Sequence, residues 1–206
     1  MIKRLIFDID GTLIQNIDFR PFIINSLKKY GIYKEENVNN FIHGINTYEN
    51  NYNNYNKKDY LNYLSSCLNV KLDSKFLDIF FEELKGAINT DNNELINLLE
   101  YLSKKYELVI LSNYFKESQL NRLRAMQIDK YFSYYFGDKL IKPNKDCYIK
   151  ACGNNKLEEC VIIGNDINLD VKIPISIGLK AIWFSKAKSI KDIKIISNLR
   201  ELKDML

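Results

Sequence analysis

The residues that decide the fold are 4–13, which read RLIFDIDGTL. Residues 4–7 form a mostly apolar run, and two aspartates and a glycine follow within four residues. A short apolar run that ends at a turn signal is typical of a β-strand buried on both faces. Similar runs recur at residues 108–111, 161–163 and 181–184, with helical patterns between them. Strands that alternate with helices predict an α/β fold with a parallel sheet.

A long stretch after the first strand interrupts this alternation. No run within it has the composition of a buried strand. Apolar residues recur there at helical spacing in three places, around Ile23, Tyr60 and Phe76. The sequence therefore predicts an all-helical insert between the first and second strands. We place the core at residues 1–16 and 88–206 and the insert at residues 17–87.

Composition and charge favour a globular protein with no nucleic-acid or membrane partner. Hydrophobic residues make up 46% of the 206 residues and charged residues 27%, which excludes wholesale disorder. No apolar run approaches the roughly 20 residues of a membrane helix, and Asp8 ends the first run too early for a signal peptide. The net charge of +4 is spread along the chain, so we interpret the basic residues 186–194 as solvated surface rather than a nucleic-acid patch. We expect a cytoplasmic protein, and its oligomeric state is unknown.

The cysteines and the single histidine limit the chemistry. Cys67, Cys147, Cys152 and Cys160 form no C-x-x-C pair, so we interpret them as reduced, mostly buried thiols rather than zinc ligands. His43 is the only histidine and would have to take part in any Ser-His-Asp or Cys-His mechanism.

Asp8 and Asp10 follow the first predicted strand directly. Gly11 permits the chain to turn there, so the two carboxylates can converge on one point. Two close carboxylates can bind a hard cation such as Mg²⁺, or divide into an ionised nucleophile and a protonated acid. The alternative is an aspartate-rich turn without function. Ligands of open α/β sheets bind at this carboxyl edge.

Two weaker signals come later in the chain. Ser112 and Asn113 follow the second strand, where a hydroxyl could donate to an anionic oxygen, although Ser-Asn is also ordinary turn composition. Lys142 precedes Pro143, and a lysine held in this way could present its charge to a phosphate.

Residues 164–170 read GNDINLD and follow the third predicted core strand. Asp166 and Asp170 are four residues apart, so both can face the sheet edge if a helix begins between them. Because helix N-termini favour carboxylates, capping would explain either residue as well.

In this order, the clusters at residues 7–13, 112–113, 142–143 and 164–170 resemble the four motifs of the haloacid dehalogenase (HAD) superfamily. The resemblance spans the predicted core from end to end. The first and fourth motifs are specific by themselves, whereas the second and third are specific only in their company. The resemblance implies a Rossmann-like core, a helical C1 cap of the subfamily I type, and Mg²⁺ as cofactor.

The resemblance also implies a catalytic role for the paired carboxylates. Asp8 would attack phosphorus to form an aspartyl-phosphate. Asp10 would protonate the leaving oxygen and then take a proton from the hydrolytic water. Mg²⁺ would lie between the Asp8 carboxylate, the backbone carbonyl of Asp10, Asp166 and the substrate phosphate, where it cancels the repulsion between carboxylate and phosphate.

The other motif residues would bind the phosphate or support the site. Ser112 and Asn113 would contact the phosphate, and Lys142 would neutralise it and hold Asp8. Many relatives have an acidic residue where this chain has Asn165, so Asp166 is expected to provide most of the metal affinity. Three further residues are expected to orient the groups that bind the metal and the phosphate: Asp170, Asn165 and Thr12.

Asp10 favours a phosphatase over a dehalogenase. Dehalogenase members of the superfamily lack an acid at this position, because a halide needs no proton on leaving, whereas an alkoxide does. The predicted function is a Mg²⁺-dependent phosphatase acting on a small phosphorylated metabolite, such as a sugar phosphate or a nucleotide. The alternatives are a dehalogenase or phosphonate-cleaving relative, and a non-catalytic binding protein that retains the fold.

The sequence does not identify the substrate. Candidates near the junction of core and insert are Gln15, Asn16 and Arg20, each of which would also suit ordinary surface. Residues 119–123, QLNRL, resemble the Q-x-x-R-L of nucleotidase-like and sugar-phosphatase-like members. We attribute this pattern to the amphipathic packing of its helix.

Overall fold

The computed structural model describes residues 1–15, 17–51, 55–137 and 139–206. Within these residues a six-stranded sheet has the order β3-β2-β1-β4-β5-β6, and every neighbouring pair is parallel. The strands are β1 (Arg4–Phe7), β2 (Glu107–Leu111), β3 (Tyr134–Phe136), β4 (Cys160–Gly164), β5 (Lys180–Phe184) and β6 (Lys194–Ile196). The predicted parallel α/β fold is confirmed. The edge strands β3 and β6 were not predicted, because each has only three residues and few of them are buried.

Five helices lie between β1 and β2, and the first four of them form the insert. The first four are α1 (Arg20–Tyr30), α2 (Glu35–Asn51), α3 (Lys57–Leu68) and α4 (Ser74–Leu84). The later helices are α5 (Asn93–Ser103), α6 (Lys116–Ala125), α7 (Lys145–Cys152), α8 (Ile173–Ser176) and α9 (Leu202–Met205). None of the described helices has the length and hydropathy of a membrane span.

Both faces of the sheet are buried, which explains the continuous apolar runs of the central strands. Leu5 and Phe7 of β1 point into one hydrophobic cluster, and Ile6 points into the other, because successive strand residues face opposite sides. Helix α5 contributes Leu98, Leu99 and Leu102 to the first cluster. Cys147, Tyr148, Ala151 and Cys152 of α7 belong to the second.

The four inserted helices bury a third cluster of their own, which is rich in aromatic rings. Phe41 lies edge-on to Phe76 and Phe80, with ring centroids 5.5 and 5.1 Å apart, an arrangement that adds to the stabilisation from burial. Phe115, which precedes α6, is buried in the same cluster. The insert therefore packs against a residue of the sheet-bearing part of the chain. The domain boundaries at residues 1–16, 17–87 and 88–206 stay a prediction.

Candidate active site

The motif residues meet at the carboxyl edge of three adjacent strands. Asp8 follows β1, Ser112 follows β2 and Asn165 follows β4, and these strands are neighbours in the order β2-β1-β4. Side chains from the ends of these strands line one wall of a cavity of about 640 Å³, and side chains of α1 and α2 line another. All the residues proposed for the site from sequence line this cavity, except the buried Thr12.

A tight turn after β1 brings Asp8 and Asp10 to the cavity. The Asp8 N–H donates to the Ile163 carbonyl at 3.0 Å, which extends the pairing of β1 and β4 by one residue. Gly11 then adopts φ +81°, and a Cβ atom there would lie 2.2 Å from the Asn165 Nδ2. Glycine is therefore required at this turn both for its backbone conformation and for its lack of a side chain.

Lys142 joins two carboxylates inside the protein. Its Nζ donates to Asp8 Oδ1 at 2.8 Å and to Asp170 Oδ1 at 2.7 Å, and all three side chains are buried. Burial disfavours the ammonium charge, but the Asp8 and Asp170 carboxylates outweigh this effect and raise the pKa of Lys142. Burial raises the pKa of Asp8 to about 7, and Lys142 opposes that rise. The Lys142 ammonium group thus joins Asp8 and Asp170 through two short, charge-assisted hydrogen bonds.

Asn113 holds the backbone of Lys142 in place. Its Nδ2 donates to the Lys142 carbonyl and its Oδ1 accepts from the Lys142 N–H, both at 2.9 Å. The side-chain amide thus joins two loops, and one N–H of its Nδ2 is left for another acceptor. The Ser112 hydroxyl lines the cavity and lies 3.3 Å from the Asn113 carbonyl.

Asp166 and Asp170 have different surroundings. Asp166 is the N-cap of a π-helical turn, Ile167–Lys172, and its Oδ1 accepts from the N–H groups of Asn168 and Leu169 at 2.7 and 2.8 Å. Asp170 Oδ2 accepts from the Asp166 N–H at 3.0 Å. The capping expected for such residues is thus present, and it uses one oxygen of Asp166.

Asn165 and Thr12 connect the first and fourth motifs. The Thr12 hydroxyl lies 3.4 Å from Asn165 Oδ1, and Trp183 Nε1 donates to the Asn165 carbonyl at 2.9 Å. The Asn165 amide lies against Gly11, since a Cβ atom on Gly11 would be 2.2 Å from the Asn165 Nδ2. These contacts hold the turn after β1 against the loop after β4.

Two residues of α6 donate hydrogen bonds to the Asp10 carboxyl group. Arg122 Nη1 donates to Asp10 Oδ1 and Gln119 Nε2 donates to Asp10 Oδ2, both at 2.7 Å. Arg122 also donates to Gln119 Oε1 at 2.8 Å and to the Ala87 carbonyl at 2.9 Å. Both side chains are buried, whereas the Asp10 side chain is 42% exposed. We call Gln119 and Arg122 the Asp10 clamp.

The clamp corrects the interpretation of residues 119–123 as a packing pattern. Gln119 and Arg122 are buried, but their polar groups bond to Asp10 rather than merely filling space. The resemblance to Q-x-x-R-L was the signal that could have identified them.

The donor set suits Mg²⁺. No group of three or more His, Cys, Asp or Glu side chains within the described ranges is arranged to hold a metal ion. The expected set needs only two such side chains, Asp8 and Asp166, because Asp10 would contribute its backbone carbonyl. All these donors are oxygen atoms, as hard cations prefer. Three acidic side chains of the cavity lining, Asp8, Asp166 and Asp170, stand beside the single ammonium group of Lys142, so a divalent cation would add positive charge where acids outnumber bases.

One face of α2 forms the opposite wall of the cavity. The residues of α2 that line it are Ile42, Ile45, Asn46, Glu49 and Asn50, and their spacing places them on one side of the helix. Helix α2 was not predicted, because its asparagine-rich sequence has weak helix propensity.

Two tyrosines complete this wall. The rings of Tyr55 and Tyr114 lie 5.4 Å apart and both line the cavity. Tyr114 has φ +106°, a conformation that is costly for a residue with a bulky side chain and is often found at functional sites. Neither tyrosine was identified from the sequence.

The three junction candidates have different outcomes. Arg20 lines the cavity and is paired with Glu35. Gln15 lies outside the cavity, and its N–H donates to Asn89 Oδ1 at 3.0 Å. Asn16 lies outside the described residues.

The cysteines and the histidine stay apart from this chemistry. All four cysteines are free, and Cys147, Cys152 and Cys160 are buried while Cys67 is partly buried. His43 is exposed on α2 and does not line the cavity. A histidine-dependent mechanism therefore has no support at this site.

Comparisons with known proteins agree with this architecture. The sequence matches the family model described as haloacid dehalogenase-like hydrolase over residues 2–178. A comparison with curated protein sequences gives no significant match.

Three solved structures illustrate the shared fold. The HAD-hydrolase YfnB from Bacillus subtilis, bound to magnesium, has a TM-score of 0.69 and 19% identity over 100% of this chain and 98% of that chain. A HAD phosphatase from Thermococcus onnurineus has a TM-score of 0.65 and 22% identity over 99% and 97%. The L-2-haloacid dehalogenase from Xanthobacter autotrophicus, with chloropropionic acid covalently bound, has a TM-score of 0.69 and 13% identity over 100% and 98%. At these identities the similarity concerns the fold alone.

Proposed function

Since the chain belongs to the haloacid dehalogenase-like hydrolase family, we propose that it is a Mg²⁺-dependent phosphatase that hydrolyses a small phosphomonoester through an aspartyl-phosphate. The observation that carries this proposal is the position of Asp10. A second carboxyl group lies two residues after the buried Asp8, lines the same cavity and is held by the clamp. An acid in this place has a use when the leaving group is an alkoxide and none when it is a halide.

In the first half of the reaction, Asp8 acts as the nucleophile. A carboxylate oxygen of Asp8 forms a bond to phosphorus, and the bond from phosphorus to the alcohol oxygen breaks. Asp10 enters this step in its protonated form and gives that proton to the departing oxygen. Lys142 stabilises the negative charge that accumulates beside it, because its Nζ already lies 2.8 Å from Asp8.

In the second half, water hydrolyses the aspartyl-phosphate. Asp10 now has no proton and takes one from the attacking water, which bonds to phosphorus and releases Asp8 with phosphate. The clamp holds Asp10 in one place for both proton transfers. Ser112 lines the same cavity, at the carboxyl end of the neighbouring strand β2.

Asp8, Asp166 and the Asp10 carbonyl would hold Mg²⁺. When bound, the ion supplies positive charge between the Asp8 carboxylate and the phosphate, whose mutual repulsion would otherwise keep them apart. Asp170 keeps Lys142 directed at Asp8, since it pairs with the same ammonium group.

A phosphate-release assay tests the proposal. The purified chain should release phosphate from p-nitrophenyl phosphate with Mg²⁺, lose this activity in EDTA, and regain it when Mg²⁺ is added. Asp8→Asn should be inactive and folded by circular dichroism, because an amide has the shape of the carboxylate but is not a nucleophile. Release of chloride from 2-chloropropionate without phosphatase activity would instead identify a dehalogenase. Absence of both activities would identify a binding protein.

A further inference from the structure

The cavity contains a carboxyl group that the proposed reaction does not use. Glu49 lies on the cavity-facing side of α2. Its side chain is exposed to the cavity, and the loss of surrounding water there raises the pKa of Glu49 to about 7, with a further contribution from Asp10. Glu49 and Asp10 line the same cavity, and Asp10 is where the leaving oxygen must be.

The cations of the cavity lining are all engaged with other carboxylates. Lys142 is paired with Asp8 and Asp170, and Arg122 is paired with Asp10 at 2.7 Å. Arg20 is paired with Glu35.

Glu49 lacks such a partner. Among the described residues, no lysine or arginine lies within salt-bridge distance of it, and no cation lowers its pKa. Among the described residues of the lining, Glu49 is thus a carboxyl group that no cation pairs with, and it becomes a negative charge when it ionises.

This charge arrangement bears on the alcohol half of the substrate. A carboxylate or second phosphate on the alcohol would lose water on entering the cavity and find another negative charge there, which is unfavourable. A hydroxyl or ammonium group would instead find an acceptor. Apolar and aromatic side chains also line the cavity, among them Phe19, Ile45, Tyr55 and Phe80, and aromatic rings attract cations.

We propose that Glu49 is a specificity residue that selects phosphomonoesters of neutral or cationic alcohols, such as polyols and amino alcohols, and rejects those of anionic alcohols. This inference rests on the proposed phosphatase function. Asn46 and Asn50 line the same face of α2 and would add amide hydrogen bonds to the alcohol. Glu49 touches the alcohol rather than the reacting atoms, so it should affect the choice among substrates more than the chemical step.

The test compares three esters of similar size that differ in the charge of the alcohol. They are 2-aminoethyl phosphate, ethyl phosphate and phosphoglycolate, assayed at pH 8, where Glu49 is mostly ionised. We expect kcat/KM for 2-aminoethyl phosphate to exceed that for phosphoglycolate by at least about tenfold in the wild type. Glu49→Gln should reduce this ratio by about tenfold, and Glu49→Lys should invert it. Ethyl phosphate should change least.

Glu36→Gln is the matched control, since Glu36 is an exposed glutamate on the same helix and does not line the cavity. A wild type that prefers phosphoglycolate overturns the inference without any variant. It is also overturned if p-nitrophenyl phosphate is hydrolysed normally but the ratio stays the same in Glu49→Gln and Glu49→Lys. If the wild type hydrolyses none of these esters, including p-nitrophenyl phosphate, the proposed function fails and the inference about Glu49 fails with it.

Discussion

At the scale of single residues, the clamp on Asp10 is the most informative contact. Arg122 makes three hydrogen bonds at once, to Asp10, Gln119 and the Ala87 carbonyl. A guanidinium group can do this because its donors are fixed in a plane, whereas a lysine ammonium cannot match the geometry. In the proposed reaction, Asp10 must point at the leaving oxygen and later at a water, and the clamp provides that orientation.

Arg122→Lys should separate positioning from structure. General acid catalysis contributes about 10²–10⁴-fold, so a misplaced Asp10 should lower kcat strongly on an alkyl phosphate. The pre-steady-state burst of phenol from p-nitrophenyl phosphate should be nearly preserved, because a nitrophenolate leaves without a proton. Stopped-flow absorbance and alkyl phosphate kinetics measure the two effects.

Arg124→Lys, an exposed arginine on the same helix, is the control and should match the wild type. Equal losses on both substrates in Arg122→Lys would show that Arg122 only stabilises the fold.

At the scale of elements, the loop and π-helical turn after β4 hold the fourth motif together. Asp166 caps the turn Ile167–Lys172, and Asp170 returns to bond the Asp166 N–H. A side chain on Gly164 would lie 2.3 Å from the Asp170 carboxyl carbon. Gly164 of β4, the N-cap Asp166 and the buried Asp170 therefore depend on each other for their positions. One oxygen of Asp166 caps the turn, and the residue also lines the cavity.

Asp166→Asn should weaken the metal site while keeping the turn. An asparagine can still accept the two N-cap hydrogen bonds, but its amide carries no negative charge for Mg²⁺. We expect the Mg²⁺ concentration at half-maximal activity to rise by roughly 10–100-fold. Asn165→Ala should raise it much less, because the Asn165 amide lies against Gly11 and Thr12. Titration of activity with Mg²⁺ gives both values, and equal shifts would contradict the assignment of Asp166.

At the scale of the whole molecule, the loop after β2 connects the sheet to the inserted helices. Ser112 and Asn113 belong to the cavity, and Phe115, two residues later, is buried among the aromatic rings of the insert. Its ring centroid lies 5.0 Å from that of Tyr60 and 5.3 Å from that of Phe81. The position of the insert over the cavity is thus linked to the loop that carries the second motif.

Phe115→Ala should destabilise the protein. Removing a buried phenylalanine side chain costs about 3–5 kcal/mol, and in a chain of this length each kcal/mol lowers the Tm by about 2–4 °C. Thermal unfolding followed by circular dichroism measures the loss. Tyr134→Ala is the comparison, because Tyr134 is also aromatic but is 59% exposed at the sheet edge. A Tm no lower than that of Tyr134→Ala would mean that Phe115 does not hold the insert to the core.

The parts of the fold that were predictable are those with a local signature. β1, β2 and β4 contain continuous apolar runs because most of their residues are buried, and β5 contains a shorter buried pair, Ala181 and Ile182, within its apolar run. The edge strands β3 and β6 lack this signature, and α2 is hidden by its asparagines. Asn50 and Tyr55 line the cavity. They belong to residues 50–60, a segment so rich in asparagine and tyrosine that its composition does not distinguish cavity residues from surface residues.

The sequence alone determined the four longer strands, the helical character of the insert and the residues at the strand ends, because turn chemistry and hydrophobic patterning act between neighbours in the chain. Only the tertiary structure decided what those residues meet. Asp10 is 109 residues from Gln119 and 112 from Arg122, and Lys142 reaches Asp8 across 134 residues. Glu49 faces the cavity because α2 lies across it from the strand ends. Contacts at such separations depend on how the elements pack together, and no local pattern records them.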